Sequence, residues 1–309
     1  MPEVKVALVT TRPRPEINTD HDMPLLLAAL NAAGVTASSV EWDDQSTDWS
    51  QYSLVLIRST WDYTWRSSEF LEWVDRCSRV TTLLNPPPVV HWSSDKYYLA
   101  RLTEAGVPAV PTRYLTRDKA SSVTAALPNT DEFVIKPAVG AGARYAARYT
   151  ADDKHAAVQH ICHMHDEGLT AMVQPYMSRV EVSGERALVF FDGSFLHAVR
   201  KNAVLASNVP FHHRKVAHPG LEPWAPTPSE LDVATRALSV VPDAQQLFYA
   251  RVDLVDDENG RPTVMELELI EPNLFLAVQP SSIETVTRAI SEKALHVQRT
   301  RAQRVAEHI

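Results

Sequence analysis

Two β-rich runs joined by Asn259-Gly260 carry three carboxylates in a pattern that predicts a metal site. Asn-Gly between alternating apolar residues is a strong signal for a two-residue hairpin turn. With that turn, Asp253 lies opposite Glu266, and Glu268 lies on the same face, opposite Arg251. Opposed like charges destabilise a sheet, so a cation is expected among the three carboxylates. Hard oxygen ligands of this kind suit Mg²⁺ or Mn²⁺.

A solvated hairpin face with one Arg251–Glu268 ion pair is the alternative. The intervening residues Val252, Leu254 and Leu267 already supply an apolar face that the hairpin can bury. The charged face is then available for binding, and we favour the metal site.

A lysine and a glycine pair predict a phosphate-binding loop. Lys136 ends the apolar run at residues 133–135, and Gly140 and Gly142 follow closely in a chain with only nine glycines. A cation beside exposed backbone N–H groups is one way in which proteins hold nucleotide phosphates. The spacing matches neither the P-loop nor the dinucleotide motif, so a chance arrangement stays open.

A strand end with a proline predicts a site for the adenine edge, because backbone groups there are free to bond a ligand. It consists of Gln174, Pro175, Tyr176 and Met177. Glu181 and Glu185 follow, and either could accept hydrogen bonds from ribose hydroxyls. Taken singly, each of these glutamates is more often a surface carboxylate.

A second predicted hairpin turns at Asp192-Gly193 and carries Arg186, Arg200 and Lys201. A two-residue turn pairs Arg186 with Val199 and places Arg200 near the open end. Two arginines on one hairpin are suited to clamp the oxygens of a transferring phosphoryl group, with Lys201 beside them as a further catalytic cation. Simple surface charge is the alternative.

Residues 211–220 contain His212, His213 and His218. No carboxylate or cysteine stands at a metal-ligand spacing from these histidines, so zinc binding is disfavoured. We interpret the segment as a mobile loop that covers the substrate.

The elements that must position these residues fall into three predicted domains. Residues 1–92 alternate strand and helix signals, which is typical of βαβ units and a parallel sheet. Ligands of such sheets bind beyond the carboxyl ends of the strands, which draws attention to residues 58–66 after the third strand. The later strands follow an antiparallel pattern, in a domain at 93–175 with Lys136 and the glycines and a domain at 176–309 with the carboxylates.

Composition excludes several classes of protein. The chain has 309 residues, 45% hydrophobic and 22% charged, and its net charge of −8 argues against nucleic-acid binding. It has no apolar run near the length of a membrane span, and residues 1–11 lack the features of a signal peptide. Cys77 and Cys162 are far apart, which favours the reducing cytoplasm.

The order of these motifs resembles the ATP-grasp superfamily, in its glutathione-synthetase-like branch. The resemblance covers roughly residues 85–280 and rests on Lys96 before a helix, VIKP with GAGA, QPYM, GERALVFFDG, RVDLV and MELELIEPN. It implies an α/β (α+β) fold with a parallel-sheet N-terminal domain and two ATP-grasp subdomains. It also implies an enzyme that uses ATP and Mg²⁺ or Mn²⁺ to convert a carboxylate to an acyl phosphate, which an amine then attacks.

The resemblance also implies a role for each matching residue. Lys96 and Lys136 would hold the ATP phosphates under a lid at Gly140–Gly142, and Gln174–Met177 would form the adenine hinge. Glu181, in preference to Glu185, would be the ribose ligand. Arg186 and Arg200 would bind the γ-phosphate and the acyl phosphate. The metal ligands would be Asp253, Glu266 and Glu268. Many members have asparagine where this chain has Glu268, and an acidic residue where it has Gly184.

A narrower resemblance is to the cycloserine-biosynthesis ATP-grasp ligases, which close O-ureido-D-serine into D-cycloserine with loss of the ureido carbonyl. It rests on RPEINTDHD, IRSTWDYTWR, NPPPVV and MELELIEP and spans the whole chain. The implied ligands of a small amino-acid-like substrate are Arg58, Ser59, Thr60, Asp62, Glu271 and Asn273. An ATP-grasp ligase that joins two substrates, a kinase-type enzyme and a non-catalytic nucleotide-binding protein remain alternatives, and a homo-oligomer is possible.

Overall fold

The computed structural model of the chain describes residues 3–13, 20–117, 123–128, 131–205, 209, 211 and 220–306. Residues 212–219 of the predicted substrate-covering loop, with His212, His213 and His218, lie outside the described residues. None of the described helices combines the length and the apolar composition that a bilayer crossing needs.

The N-terminal part is built on a parallel sheet, as predicted. Its strands are β1 (Lys5–Thr10), β2 (Thr36–Glu41), β3 (Leu54–Ser59) and β4 (Thr82–Leu84), in the order β2-β1-β3-β4. Its helices are α1 (Asp22–Ala32), α2 (Ser67–Val80) and α3 (Pro87–Ser93), with a 3-10 turn at Trp61–Trp65 after β3. All six residues of β3 are buried, because apolar layers cover both faces of this inner strand.

The middle part contains an antiparallel sheet in the order β5-β8-β6-β7. Its strands are β5 (Arg113–Leu115), β6 (Glu132–Pro137), β7 (Ala147–Thr150) and β8 (Ala171–Pro175). The helices of this part are α4 (Tyr98–Glu104), α5 (Val123–Ala126) and α6 (Lys154–Asp166).

The C-terminal part contains the largest sheet, in the order β11-β10-β9-β12-β13. Its strands are β9 (Glu185–Phe191), β10 (Ser194–Lys201), β11 (Leu221–Trp224), β12 (Tyr249–Asp256) and β13 (Pro262–Glu268). Its helices are α7 (Val180–Ser183), α8 (Pro228–Ser239) and α9 (Ser282–Ala306). The switch from a parallel to an antiparallel pattern was predicted, and the exact domain boundaries at 92/93 and 175/176 stay predictions.

The carboxylate hairpin has the predicted register at the site but a different turn. Arg251 faces Glu268 and Asp253 faces Glu266, which confirms the pairing. The turn is one residue longer than predicted, because the N–H of Asp257 bonds the carbonyl of residue 261 at 2.9 Å. A bulge after Asp253 absorbs the extra residue, so the longer turn and the bulge cancel at the carboxylates.

The second hairpin differs from its prediction in register. Asp192 and Gly193 form the turn with φ values of 49° and 74°, as a two-residue turn requires. An irregularity between residues 195 and 197 then shifts the pairing by one residue. Arg186 therefore lies opposite Arg200, and the predicted pairing with Val199 is wrong.

Candidate active site

A cleft lined by both antiparallel sheets brings most of the predicted nucleotide-binding residues together. It encloses about 1100 Å³, including space that is open to solvent. Its apolar lining includes Val110, Val134, Met177, Val180 and Val255. Its charged lining consists of Lys96, Lys136, Arg144, Glu185, Lys201, Arg251, Asp253, Glu266 and Glu268. Apolar walls beside a group of cations and carboxylates suit a ligand with a flat apolar base and a charged tail.

Side-chain alternation along the C-terminal sheet decides which residues reach this cleft. Glu185, Lys201 and Asp253 line the cleft from β9, β10 and β12. The neighbouring positions on the same strands, such as Leu188 and Val252, pack in the core cluster that includes α8. Along each strand, side chains that point to the side of the cleft therefore alternate with side chains that point to this core.

Cations hold both carboxylate oxygens of Asp253. Arg251 Nε donates to Asp253 Oδ1 at 2.8 Å, while Arg251 Nη2 and Lys201 Nζ donate to Oδ2 at 2.9 Å and 2.7 Å. Burial raises the pKa of Asp253, but the charges of Arg251 and Lys201 outweigh burial and hold this pKa well below its ordinary value. Asp253 is therefore a fixed negative charge that orients two buried cations.

Glu185 shares Lys201 with Asp253. Lys201 Nζ contacts a carboxylate oxygen of Glu185, and both residues are buried. Burial raises the pKa of Glu185 to about 7, and the charge of Lys201 offsets only part of this effect. Burial lowers the pKa of Lys201, but Asp253 and Glu185 more than compensate, so its pKa is raised and it stays protonated.

A second pair of cations lies near Glu266 and the glycine loop (residues 140–146). Lys96 Nζ lies 3.2 Å from Glu266 Oε1 and also donates to the carbonyl of Gly140. Burial raises the pKa of Glu266, but the charges of Lys96 and Lys136 outweigh burial and lower it. The pKa of Lys136 is lowered by burial, partly offset by the charge of Glu266. The predicted phosphate-binding residues Lys96, Lys136, Gly140 and Gly142 all line the cleft.

The three predicted metal ligands line the cleft together, but they do not form a ready-made cage. In the described part of the chain, no group of three His, Cys, Asp or Glu side chains is arranged to hold an ion. Arg251 and Lys201 occupy the oxygens of Asp253, and Arg251 also binds Glu268. The side chains of Glu266 and Glu268 nevertheless keep 21% and 26% of their surface exposed. Mg²⁺ at nucleotide sites takes one or two carboxylates plus phosphate oxygens, so this pair fits the ion.

The predicted adenine-binding segment lies in the lining of the cleft with all four of its residues, Gln174, Pro175, Tyr176 and Met177. Gln174 is buried, and its Nε2 donates to Thr112 Oγ1 at 2.8 Å. This bond directs the acceptor oxygen of Gln174 away from Thr112. The guanidinium of Arg148 lies 3.5 Å from the centre of the Tyr176 ring and supports it by a cation–π contact.

The two predicted ribose ligands occupy different environments. Glu181 is 48% exposed and accepts hydrogen bonds from Arg148 Nη1, at 2.8 Å, and from the Tyr176 hydroxyl. Glu185 is buried against Lys201 in the charged part of the cleft. Glu181 therefore lies beside the predicted adenine-binding segment, and Glu185 lies in the part of the cleft with the predicted phosphate-binding residues.

The predicted clamp of Arg186 and Arg200 does not reach the cleft. Arg186 is buried on the opposite face of the sheet, where its Nε donates to Glu230 Oε1 at 2.8 Å and its Nη2 contacts Asp256. Arg200 pairs with Glu222 of β11. The assignment of both arginines to phosphate binding is therefore corrected: strand alternation turns them away from the side on which Lys201 lies.

The predicted substrate residues at the end of β3 and just beyond it are buried and lie outside the lining of the cleft. Arg58 donates to the carbonyl of Pro272 at 2.9 Å, but its Nε and Nη1 have no hydrogen-bond partner among the described residues. Asp62 accepts from Trp42 Nε1 at 2.9 Å and lies 3.5 Å from Arg66. Aromatic and apolar layers cover this segment, and the assignment of Arg58 and Asp62 to substrate binding stays a prediction.

The two hydroxyl residues between them differ. Ser59 Oγ lies 2.9 Å from Thr10 Oγ1, whereas Thr60 Oγ1 is buried without a hydrogen-bond partner among the described residues. Unpartnered buried polar atoms are uncommon. Thr60 and Arg58 therefore retain bonding capacity beside β3.

The segment after β13 links this region to the charged part of the cleft. Glu271 is buried, and the carbonyl of Asn273 accepts from Arg251 Nη1 at 3.3 Å. Asp22, at the start of α1, accepts the N–H groups of Leu274, Phe275 and Leu276 at 2.7, 3.1 and 2.8 Å. Asp22 also lies 3.8 Å from Arg58, so the N-terminal part fixes the path of this segment.

Sequence reasoning gave no role in the site to Arg251 beyond its pairing with Glu268, and none to Asp22 or Arg148. Arg251 stands two residues before Asp253 on one strand, and residues two apart on a strand share a face, so this spacing could have identified it. No local pattern indicates the role of Asp22, whose partners lie 252 to 254 residues further along the chain.

Comparisons with known proteins identify the family of the chain. Residues 6–85 match the family of the D-cycloserine synthetase DcsG N-terminal domain. The chain is 35% identical to the cycloserine biosynthesis protein DcsG of Streptomyces lavendulae over 286 residues, which is 89% of this chain and 94% of that protein.

Solved structures show the same relationship. The crystal structure of D-cycloserine synthetase DcsG has 34% sequence identity and a TM-score of 0.83, with 94% of this chain and 99% of that chain covered. A RimK domain protein of the ATP-grasp class from Sphaerobacter thermophilus, at 18% identity and a TM-score of 0.64, covers 94% of this chain and 99% of its own and shows the shared fold. The chain therefore belongs to the D-cycloserine synthetase family and is an ATP-dependent ligase with the ATP-grasp fold.

Proposed function

We propose that this enzyme uses ATP to activate the carboxylate of O-ureido-D-serine and closes the molecule into D-cycloserine. The observation that carries the proposal is the cleft in which apolar walls adjoin Lys96, Lys136, Lys201 and Arg251. The kinship with the protein named D-cycloserine synthetase supports the choice of substrate. The free cysteines Cys77 and Cys162 support a reducing, cytoplasmic setting.

ATP would lie along the cleft from the adenine-binding segment to the charged lining. The base would contact Gln174, Tyr176 and Met177, and the exposed Glu181 would receive the ribose hydroxyls. Lys96 and Lys136 would neutralise the phosphates beneath the glycine loop. Both lysines line the cleft, and Lys96 already contacts the loop at Gly140, which supports this orientation.

Glu266 and Glu268 would hold the magnesium ion together with phosphate oxygens. Bound there, Mg²⁺ supplies neutralisation of the charge that develops on the phosphates. Asp253 would contribute mainly by keeping Arg251 and Lys201 in place, because both of its oxygens already accept hydrogen bonds from these cations.

In the first step, an oxygen of the substrate carboxylate forms a bond to the γ-phosphorus, and the bond from that phosphorus to ADP breaks. Arg251 and Lys201 are the cleft cations that would stabilise the charge on the transferred group. In the second step, the nitrogen next to the substrate's own oxygen attacks the acyl carbon and phosphate departs. Ring closure leaves a carbamoyl group on the ring nitrogen, and water then cleaves the bond between that nitrogen and the carbamoyl carbon, which leaves as carbon dioxide and ammonia.

The substrate would lie where the cleft meets the N-terminal part of the molecule. Arg58 Nε and Nη1 and Thr60 Oγ1 are buried polar atoms without partners among the described residues, which supports a ligand in this region. Ser59, Asp62, Glu271 and Asn273 are the further candidate positions. Access to Arg58, whose exposed fraction is 1%, requires the segment over it to move.

The experiment that tests this proposal measures ADP and phosphate release with O-ureido-D-serine as the only amino-acid substrate. We expect turnover with this compound and none with D-alanine, citrulline, or γ-glutamylcysteine plus glycine. Turnover that needs two amino-acid substrates would instead identify a peptide or amide ligase. Release of ADP without hydroxamate formation, when hydroxylamine is added to trap the acyl phosphate, would point to phosphorylation of a hydroxyl group.

A further inference from the structure

One side chain of the glycine loop reaches across to the N-terminal part of the molecule. Arg144 lines the cleft, and its guanidinium carbon lies 5.0 Å from the centre of the Trp65 ring. Trp65 ends the 3-10 turn that follows β3. A guanidinium within about 6 Å of an indole ring is attracted by the ring quadrupole, and tryptophan gives the strongest contact of this kind.

The guanidinium of Arg144 contacts two aromatic rings. Its central carbon is 4.4 Å from the centre of the Tyr145 ring, and its Nε has no hydrogen-bond partner among the described residues. A side-chain hydrogen bond with Tyr145 holds the guanidinium from within the loop, and from outside the loop it is held by the contact with Trp65. It joins the loop beside Lys96 and Lys136 to the segment that contains Arg58 and Thr60.

The backbone of the glycine loop is held in an unfavourable conformation. Gly142, Ala143 and Tyr145 have φ values of 62°, 58° and 58°, and only glycine adopts such angles freely. Residues in this region persist when surrounding contacts fix them. Tyr145 supplies one such contact, because its hydroxyl donates to Glu167 at 2.6 Å.

Adjacent loop residues thus bind opposite sides of the site. Tyr145 binds Glu167, just beyond α6 in its own part of the molecule, and Arg144 binds Trp65 in the N-terminal part. An acyl phosphate is hydrolysed by water. If the loop opens before the ring has closed, water enters, and the ATP is consumed without formation of product.

We propose that Arg144 and Trp65 are positioning residues that hold the glycine loop over the phosphates while the N-terminal segment is in place. Their contact keeps ATP consumption coupled to product formation. This inference rests on the proposed activation of a substrate carboxylate in the cleft. Neither residue needs to touch the reacting atoms, because each acts through the position of the loop.

The test compares the ratio of ADP to cyclised product in Arg144→Ala, Trp65→Ala, the double variant and Trp65→Phe. The wild type should release one ADP for each product. Both alanine variants should release about three or more, because the intermediate meets water. The double variant should resemble the single ones, and Trp65→Phe should stay near the wild-type ratio because the aromatic face is retained. Arg101→Ala is the matched control, since Arg101 lies 5.6 Å over the ring of Tyr97 on the protein surface.

A second measurement does not depend on the identity of the substrate. The dissociation constant of the ATP analogue AMPPNP should rise about two- to fivefold in each alanine variant, and no further in the double variant, because a preorganised loop is lost. If the wild type makes no product from O-ureido-D-serine, the proposed function fails. The AMPPNP dissociation constants of the two single variants and the double variant then decide the inference alone.

Three results would overturn the inference. The first is an unchanged ADP-to-product ratio in both alanine variants. The second is independent, multiplicative effects of the two substitutions on AMPPNP binding. The third is loss of activity in Arg144→Ala while Trp65→Ala behaves as the wild type, which would make Arg144 a direct phosphate ligand. Thermal unfolding of each variant identifies any that fail to fold, and Arg144→Gln and Trp65→Leu, which also remove the cation and the aromatic ring, then serve in their place.

Discussion

Lys201 Nζ lies 2.7 Å from Asp253 Oδ2, and this buried contact joins two strands that are not hydrogen-bonded to each other. β10 and β12 are both neighbours of β9, whose Glu185 also contacts Lys201. One lysine therefore connects three adjacent strands on the face that lines the cleft. The position of this cation depends on two carboxylates at once, and so does any stabilisation it gives to a phosphate group.

Replacing Lys201 by methionine should damage both stability and catalysis. Two buried carboxylates would lose their common cation, which should lower the free energy of unfolding by about 3–5 kcal/mol. The folded fraction should lose about 100-fold or more in kcat, as expected when a group that stabilises transition-state charge is removed. Denaturant unfolding and steady-state kinetics measure the two effects. The matched control is Arg76→Met, which breaks an exposed ion pair with Glu72 and should change stability by less than about 1 kcal/mol.

Replacing Arg186 by methionine should affect stability alone. Arg186 is 2% exposed and pairs with Glu230 and Asp256 on the face away from the cleft. Loss of this buried cation should lower the free energy of unfolding by about 3–5 kcal/mol. The KM for ATP, measured at a temperature where the variant is folded, should stay within about twofold of the wild type. A stable variant with a greatly raised KM for ATP would restore Arg186 to the phosphate site.

Replacing Glu268 by glutamine should raise the Mg²⁺ concentration needed for half-maximal activity. The amide keeps an acceptor for Arg251 but removes a negative charge beside Glu266, and we expect about a tenfold rise. Stability should change by less than about 1 kcal/mol because 26% of the side chain is exposed. Glu258→Gln, at the exposed turn of the same hairpin, is the control. An unfolded Glu268→Gln protein, or an unchanged Mg²⁺ requirement, would show that the carboxylate is structural.

Stability should fall with rising pH between about 4.5 and 7 in a way that depends on Glu185. Burial raises the pKa of this carboxyl from 4.5 to about 7, more than Lys201 lowers it. In this window the native state keeps a proton that the unfolded chain has released, so a higher pH favours unfolding. Asp253 has a lowered pKa, so its contribution makes stability rise with pH. That contribution changes only below the ordinary aspartate pKa of 3.8, outside this window. Glu185→Gln cannot release this proton, and its free energy of unfolding should vary less over the same range. Equal slopes for the variant and the wild type, without nucleotide or metal, would refute this linkage.

The elements of the N-terminal sheet were predictable because continuous apolar runs separated by helix signals are typical of parallel strands. The register at Asp253 and Glu266 was predicted correctly, although the turn was not. The longer turn and the bulge after Asp253 shift the pairing by one residue in opposite senses. A bulge of this kind has no clear signature in the sequence.

The prediction that Arg186 and Arg200 clamp a phosphoryl group was wrong, and part of the reason can be seen in the sequence. Arg200 and Lys201 are consecutive on a strand, so they point to opposite faces, and only one of them can line the cleft. Which one does so depends on α8, which packs on the other face of the sheet. Similarly, the run Leu54–Ile57 before Arg58 indicates a buried strand, but not that residues 270–276 cover its end.

The most direct test of the account follows an oxygen atom from the substrate. O-ureido-D-serine labelled with ¹⁸O in its carboxylate should transfer one labelled oxygen to inorganic phosphate for each D-cycloserine formed. This result is expected because the carboxylate oxygen that binds the γ-phosphorus leaves with it when the nitrogen attacks the acyl carbon. Unlabelled phosphate released together with D-cycloserine would contradict carboxylate activation in this cleft.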